Sequence, residues 1–275
     1  MQNILILGGT GKTGRRVAQR LEADGRPVRT ACRTSGSTPF DLADPATWAP
    51  ALDGVTAAYL VEPSLGAGGD RMPRFVAEAV AAGVRRLVLL SAGGVGEAGD
   101  DHPLKAAEDA VRASGADWTI LRPDWFSQNF SEGPWLPSIL AGTLSLPAGA
   151  GATPFIDAGD IAAVAVAALT EDRHRGRTYQ LTGPRAIGFG EAVDLIGRAT
   201  GRPVRYVGIA PETHLERQVA AGVPPAVARL LTGVFTAIRD GSAPEPADGV
   251  ERALGRPARP FEDYVSETAA SGVWN

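Results

Sequence analysis

The sequence predicts an α/β fold in which a doubly wound parallel sheet carries helices on both faces. Five short apolar runs lack strict alternation of apolar and polar residues, which is typical of strands buried on both faces of a parallel sheet. Segments with helical periodicity separate these runs, and glycines such as Gly25 and Gly83 stand where the helices should end. Repeated strand–helix–strand units imply right-handed crossovers and therefore a doubly wound sheet.

The strands and helices can be placed in chain order. Between the first two strands Thr13, Val17 and Leu21 share one helical face, and Phe75 and Ala79 repeat that spacing between the third and fourth. The predicted strands of this region cover residues 3–7, 27–32, 56–61, 86–90 and 117–121.

The pattern changes after residue 121. Residues 122–155 contain two of the five tryptophans and are predicted to be mostly irregular. A helix over 158–170 and a strand over 178–181 return to the sheet, and 186–275 are predicted to be helices around one short strand, 204–207. We therefore predict a larger body and a smaller, mostly helical lobe. The body comprises 1–124 with 156–185, and the lobe comprises 125–155 with 186–275.

Composition and charge exclude several classes of function. Hydrophobic residues make up 44% and charged residues 21% of the 275 residues, which is enough apolar sequence for a core. The net charge of −4 argues against a nucleic-acid partner, and the longest apolar run is too short for a bilayer span. The single cysteine, Cys32, excludes an internal disulfide and a multi-cysteine metal site. We expect a cytoplasmic monomer or homodimer without a metal site or a membrane partner.

A glycine-rich loop joins the first predicted strand to the first helix. Gly8, Gly11 and Gly14 give the spacing G-x-x-G-x-x-G. Such glycines allow a tight turn, a close approach of the backbone to a pyrophosphate, and close packing of helix on strand. A triphosphate-binding P-loop would need a glycine where Ile6 stands, so that alternative is disfavoured. We predict a dinucleotide site formed by Gly8, Thr10, Gly11, Lys12, Thr13 and Gly14.

The residues after the second strand distinguish NADP from NAD. No carboxylate precedes Asp41 in this stretch, so we assign Arg33 to the 2′-phosphate, assisted by Ser35 and Lys12. The alternative is that Arg33 is a solvated loop residue. Asp41 is a candidate contact for the adenine amine, although Asp41 and Asp44 could equally cap a short helix. The predicted cofactor is NADP(H).

Several motifs extend along nearly the whole chain, at 8–14, 91–93, 118–123, 125–130, 155–162 and 179–184. Together they resemble the NmrA-like group of atypical short-chain dehydrogenase/reductases. The resemblance implies a Rossmann-like fold and NADP binding, in a group that includes quinone reductases, imine reductases, isoflavone-reductase-like enzymes and non-catalytic redox sensors. The tail 261–274 also resembles bacterial relatives of the ergot-alkaloid dehydrogenases.

The chain departs from the tyrosine-lysine chemistry of standard short-chain reductases. Lys105 matches the lysine of Tyr-x-x-x-Lys, but Asp101 occupies the tyrosine position. Lys105 can bind the nicotinamide ribose and stabilise negative charge, and His102 is a candidate proton donor on the same helical face. The alternative is a helix capped by Asp101 or His102, with a solvated lysine. Ser91, after the predicted strand over 86–90, is expected near the nicotinamide or the substrate.

The missing tyrosine favours an electron-poor conjugated substrate, because an ordinary ketone needs a strong proton donor. Aromatic residues could line a substrate pocket or belong to the core, with Asn129 as a polar contact. We predict an NADPH-dependent reductase of a planar hydrophobic carbonyl, quinone or imine, in secondary metabolism. The alternatives are a non-catalytic NADP-binding redox sensor with a protein partner and, less favoured, an epimerase or dehydratase. The aromatic candidates are Trp125, Phe126, Phe130 and Trp135.

Four further polar residues are interpreted as structural. Asp157 and Asp160 precede or begin the apolar helix over 158–170, where carboxylates interact favourably with the helix dipole. His174 and His214 stand among charged residues and are expected on the surface.

Overall fold

Eleven strands are found in the part of the chain that the structure, a computed structural model, describes: residues 3–34, 36–62, 70–97, 99 and 102–275. They are β1 (Ile4–Leu7), β2 (Val28–Cys32), β3 (Thr38–Pro39), β4 (Ala57–Val61), β5 (Arg86–Leu90), β6 (Asp117–Pro123), β7 (Thr143–Leu146), β8 (Ala152–Thr153), β9 (Arg177–Leu181), β10 (Ile187–Gly188) and β11 (Arg205–Gly208).

Seven of these described strands form one parallel sheet in the order β3-β2-β1-β4-β5-β6-β9. The chain builds outward from β1 toward β3 and then from β4 toward β9, so the direction of winding reverses between β1 and β4. Residues 4–7 of β1 and 87–89 of β5 are almost completely buried, which explains why their sequences show no alternation. The predicted doubly wound parallel sheet is confirmed.

The longer helices of the described chain coincide with the segments whose apolar residues repeat at helical spacing. None of the described helices has the length and hydrophobicity needed to cross a membrane. The helices are α1 (Gly14–Ala23), α2 (Trp48–Leu52), α3 (Arg71–Ala81), α4 (Pro103–Ala113), α5 (Leu136–Leu140), α6 (Ala158–Thr170), α7 (Phe189–Thr200), α8 (Pro211–Ala220), α9 (Pro225–Arg239), α10 (Gly249–Leu254) and α11 (Phe261–Ala270).

The chain divides into two compact units. The first contains Met1–Pro123, Ala158–Leu181 and Asp248–Pro257, and the second contains Asp124–Asp157, Thr182–Ala247 and Ala258–Asn275.

The predicted lobes differ from this division mainly at 248–257, which we had placed in the smaller lobe. The physical reason is close packing of α10 in the first unit. A Cβ on Gly249 would overlap the carbonyl oxygen of Gln180 in β9. Arg256, just after α10, forms an ion pair of 2.7 Å with buried Asp160 in the first turn of α6.

An aromatic cluster forms the core of the second unit. Phe130, Trp135, Phe155 and Phe189 are buried there with ring centroids 4.7–6.2 Å apart for the contacting pairs. Two small sheets adjoin this core in the described chain, parallel β7–β11 and antiparallel β8–β10. Residues 122–155 are therefore less irregular than predicted, because α5, β7 and β8 are too short to produce a clear period in the sequence.

Two histidines that we expected on the surface are buried, so that prediction is wrong. His174 Nδ1 lies 2.9 Å from the hydroxyl of Tyr179 in the first unit, and His214 Nδ1 lies 2.8 Å from Thr232 Oγ1 in the second. Burial lowers the pKa of both imidazoles. Charged neighbours in the sequence do not indicate exposure of these histidines, because one turn of helix places adjacent side chains on different faces.

The carboxyl-terminal tryptophan anchors the end of the chain in the second unit. Trp274 is 2% exposed, and its indole N–H donates to the carbonyl of Phe130 at 2.9 Å. Tyr264 packs against the indole edge to face, with centroids 6.0 Å apart.

We predict that Trp274→Ala lowers the free energy of unfolding by about 3–5 kcal/mol, because it leaves a large cavity in a packed aromatic cluster. Urea denaturation followed by far-ultraviolet circular dichroism measures the change. Asn275→Ala, an adjacent exposed residue, is the control and should change stability by less than about 0.5 kcal/mol. A loss below about 1 kcal/mol for Trp274→Ala would contradict the anchoring role.

Candidate functional site

The turn after β1 is closed by its own backbone. The N–H of Gly8 donates to the carbonyl of Ala31 in β2 at 3.0 Å, and the N–H of Gly11 donates to the carbonyl of Gly8 at 2.8 Å. Gly8 has φ of +62°, a left-handed conformation that glycine adopts without strain. This turn leads directly into α1, which begins at Gly14.

Side chains have no room on the inner side of this turn. A Cβ on Gly14 would overlap the carbonyl oxygen of Gly8, and a Cβ on Gly9 would lie 2.6 Å from the Cβ of Thr30. The packing of Gly9 on β2 is a feature that sequence reasoning missed, since we assigned no role to this glycine. Because the loop consists of backbone packed on backbone, a phosphate can approach its N–H groups closely.

The beginning of α1 suits a negatively charged group. Its first turn contains no acidic residue, and within the described chain Thr13, the N-cap residue, makes no side-chain capping bond. Thr10 and Gly11 are exposed, and Lys12 is half-buried beside them. The positive end of the helix dipole therefore lies at this turn, and these residues fit a dinucleotide pyrophosphate.

The carboxyl end of β2 presents an exposed arginine. Among the described residues, no hydrogen bond or ion pair engages the guanidinium of Arg33. Ser37 closes the following loop, since its Oγ accepts from the N–H of Thr30 at 2.9 Å and its own N–H donates to Thr30 Oγ1 at 3.0 Å. Ser35 lies outside the described residues. The structure therefore leaves Arg33 available to a ligand.

The two aspartates after β3 both serve local turns. Asp41 accepts from the N–H of Ala43 at 2.9 Å, and Asp44 accepts from the N–H of Ala46 at 3.1 Å and caps a short 3-10 turn. Capping is the alternative that the sequence had left open for both residues. The adenine contact of Asp41 stays a prediction.

A buried carboxylate lies behind Ser91, and sequence reasoning missed it. Glu108 of α4 is completely buried. It accepts a hydrogen bond from the hydroxyl of Ser91 at 2.6 Å and from Arg122 through two nitrogens at 2.8 and 2.6 Å. Burial raises the pKa of Glu108, but the hydrogen bonds from Arg122, Ser91 and Arg112 outweigh that effect and leave the pKa below its usual value. Glu108 is thus an ionised carboxylate in the interior.

His102 and Lys105 occupy the start of α4. His102 is the N-cap residue, and its Nδ1 accepts from the N–H of Leu104 at 3.2 Å. In this geometry Nδ1 is the acceptor, which leaves Nε2 as the donor nitrogen of the ring. Asp101, the other candidate cap, lies outside the described residues. The ammonium of Lys105 pairs with Asp109 at 2.7 Å.

The charges of α4 and β6 form one continuous chain, which we call the α4 charge network. Lys105 pairs with Asp109, Asp109 with Arg112 at 3.1 Å, Arg112 with Glu108 at 2.7 Å, and Glu108 with Arg122. Positive and negative groups alternate along it. The network connects both candidate polar positions of the first unit, Lys105 directly and the serine after β5 through Glu108.

The aromatic candidates of the second unit separate into two groups. Trp125 is partly exposed and stacks on Trp135 and Phe235, with centroids 5.4 and 5.1 Å away. Phe126 and Asn129 are also partly exposed. These three partly exposed side chains can contact a ligand.

Phe130 cannot form part of an accessible wall, so its prediction as a substrate contact is corrected. The ring is fully buried and packs edge to face against Trp135, Phe155 and Phe261. The physical reason is the 3-10 turn over Ser127–Phe130, which directs this side chain into the core.

A glycine turn at the start of a helix, at the point where a parallel sheet reverses its winding, defines a dinucleotide-binding α/β protein. Residues 8–172 match the family described as NAD(P)H-binding. The chain therefore belongs to this family and fits the NmrA-like atypical short-chain dehydrogenase/reductases, as the motifs predicted. The predicted nicotinamide cofactor is likewise confirmed as NAD(P)H.

The alignments with named relatives cover nearly the whole chain. A (4-alkanoyl-5-oxo-2,5-dihydrofuran-3-yl)methyl phosphate reductase of Streptomyces griseus is 37% identical, covering 97% of this chain and 98% of its own. A festuclavine dehydrogenase of Aspergillus fumigatus is 30% identical, with coverage of 97% and 98%. The crystal structure of an Escherichia coli NADPH-dependent quinone oxidoreductase with NADPH has a TM-score of 0.76 at 23% identity, covering 96% and 99%.

We predict that Gly14→Ala weakens NADPH binding by at least 10-fold, because its Cβ would displace the start of α1 from the turn. Isothermal titration calorimetry measures the dissociation constant. Gly233→Ala is the matched control, since a Cβ at this exposed position of α9 meets open space and should leave binding unchanged. Equal affinity in both variants would contradict the role assigned to the turn.

Proposed function

We propose that this protein is an NADPH-dependent reductase that transfers hydride to a planar, electron-poor conjugated acceptor such as a quinone, an enone or an imine. In this proposal the first unit binds NADPH, and the second unit carries the substrate-binding residues Trp125, Phe126 and Asn129. A role in secondary metabolism belongs to the same proposal.

The observation that carries the proposal is that two polar candidates of the first unit, Ser91 and His102, bond to the protein itself within the described residues. The hydroxyl proton of Ser91 is directed to Glu108. His102 uses Nδ1 to accept from the backbone N–H of Leu104. The position that holds tyrosine in standard short-chain reductases holds Asp101. No strong acid is therefore assigned to the substrate.

A site without the tyrosine of standard short-chain reductases, in which Ser91 donates to Glu108, restricts the class of reaction. Hydride addition to an ordinary ketone produces an alkoxide whose conjugate acid is about as weak an acid as water, so the product needs a proton at once. A quinone or an enone spreads the new negative charge over several atoms, and an iminium loses its positive charge. Water or a weak donor suffices for these acceptors.

The residues of the chain bind and orient rather than supply acid. NADPH, when bound, supplies the hydride. The glycine turn holds the pyrophosphate, and Arg33 pairs with the 2′-phosphate. The ammonium of Lys105 stabilises negative charge on the acceptor, an effect that its ion pair with Asp109 reduces but does not abolish.

The relatives support this choice of acceptor. The name of the Streptomyces griseus reductase describes a dihydrofuran ring with an oxo group and an alkanoyl substituent, which is a conjugated carbonyl compound. The Aspergillus fumigatus relative is named for an alkaloid, festuclavine, and the Escherichia coli structure is that of a quinone oxidoreductase.

We predict that Arg33→Ala lowers the affinity for NADPH by about 10- to 100-fold and leaves that for NADH nearly unchanged, since it removes charged hydrogen bonds to the 2′-phosphate. Titration of both cofactors against the quenching of tryptophan fluorescence measures the ratio. Arg229→Ala, another exposed arginine, is the matched control. An unchanged preference in Arg33→Ala would show that another group selects the phosphate.

A panel of quinones, enones and cyclic imines tests the proposed reaction through NADPH oxidation. We predict turnover of at least one class, with kcat reduced about 10- to 100-fold in Lys105→Ala. His102→Ala should lose about 1 kcal/mol of stability, whereas His102→Asn keeps a capping side chain and should retain both stability and kcat. Micromolar NADPH binding without any turnover would instead favour the alternative, a redox sensor that acts through a protein partner.

A further inference from the structure

The acceptor capacity of Glu108 is completely used. Its Oε1 accepts from Ser91 Oγ and Arg122 Nε, and its Oε2 accepts from Arg122 Nη2 and Arg112 Nη2 at 2.6 and 2.7 Å. A carboxylate has about four lone-pair positions, so these four bonds saturate it. Two arginines offset the cost of burying the charge, and the group stays ionised.

The ionised state of Glu108 determines that the hydroxyl of Ser91 is the donor in their hydrogen bond. An ionised carboxylate can only accept, so the short bond of 2.6 Å requires Ser91 to donate its single proton to Glu108. The hydroxyl then has no proton for any other partner. Its remaining lone pairs can only accept a hydrogen bond.

Ser91 stands at the ligand-binding edge of the sheet, where 6% of the residue is exposed. Ser91 directly follows β5, and its N–H continues the strand pairing by donating to the carbonyl of Leu121 in β6 at 2.8 Å. Ligands of doubly wound sheets bind beyond the carboxyl ends of the strands, where this residue stands.

We propose that Glu108 is a positioning residue that holds Ser91 as a hydrogen-bond acceptor, and that Ser91 thereby recognises an N–H or O–H donor on the bound ligand. The inference rests on the proposed function only for the ligand's place beside β5. The donor belongs either to the carboxamide of the cofactor or to the substrate. A carbonyl oxygen of the ligand, by contrast, receives nothing from Ser91.

Equilibrium binding of matched ligands tests the assignment. The cofactor pair is NADP+ and its 3-acetylpyridine analogue, in which a methyl ketone replaces the carboxamide and removes the N–H donor. The substrate pair is 2-amino-1,4-naphthoquinone and its N,N-dimethyl derivative. Isothermal titration calorimetry measures the affinity ratio within each pair for the wild-type protein and each variant.

We expect the wild-type protein to prefer the donor-bearing member of one pair by about 3- to 10-fold, the value of one hydrogen bond. In Ser91→Ala and in Glu108→Gln this ratio should fall to about one. The glutamine amide can donate to Ser91, so the hydroxyl is no longer restricted to accepting. A merely structural role of Glu108 would weaken both members of a pair equally and leave their ratio unchanged.

Ser114→Ala is the matched control, because this hydroxyl at the carboxyl-terminal cap of α4 bonds locally, to the carbonyl of Val111 at 2.7 Å and the N–H of Ala116 at 3.2 Å. If Glu108→Gln does not fold, Ser91→Ala alone decides. Loss of the ratio in the cofactor pair identifies the carboxamide as the donor, and loss in the substrate pair identifies the substrate. A ratio that survives in Ser91→Ala for both pairs, or is absent from the wild-type protein, overturns the proposal.

Failure of the proposed function has a different signature. A protein that binds the cofactor with the expected ratio but reduces no acceptor would retain this inference and lose the reductase assignment. A working reductase whose affinity ratios do not respond to Ser91→Ala would lose the inference alone.

Discussion

The close approach of α1 to the turn after β1 is the constraint on which the nucleotide site depends. Gly14 starts the helix against the carbonyl of Gly8, and Gly9 lies directly on Thr30 of β2. Since no side chain fits at these contacts, the backbone N–H groups and the positive end of α1 are presented together. Arg33 stands at the end of the neighbouring strand, where the proposed dinucleotide would place its 2′-phosphate.

A second constraint, the buried charge of Glu108, organises the polar residues of the same unit. An unpaired carboxylate in the interior would cost several kcal/mol, so Arg112 and Arg122 must both accompany it. The orientation of Ser91 follows from this pairing rather than from its own sequence context. The α4 charge network therefore gives the first unit a strongly polar region in which the hydroxyl proton of Ser91 is donated to Glu108.

The second unit is stabilised differently from the first, because its strands are too short to form a large sheet. Edge-to-face contacts among buried rings hold it together, and Trp274 closes the cluster from the end of the chain. The aromatic segment that begins at Trp125 contributes side chains both to the core and to the partly exposed surface of the second unit. Phe130 belongs to the core, whereas the partly exposed Trp125, Phe126 and Asn129 are available to a ligand.

Local sequence patterns by themselves determined the parallel sheet, the position of α6 and the glycine turn. Buried strands, helical periodicity and glycine spacing can each be recognised from a few consecutive residues. Tertiary structure alone decided which polar side chains are buried. Glu108, His174 and His214 lie in polar stretches, and the neighbouring residues in the sequence do not predict that they are buried. Their partners Arg122, Tyr179 and Thr232 lie on other elements, and only folding brings such groups into contact and removes them from water.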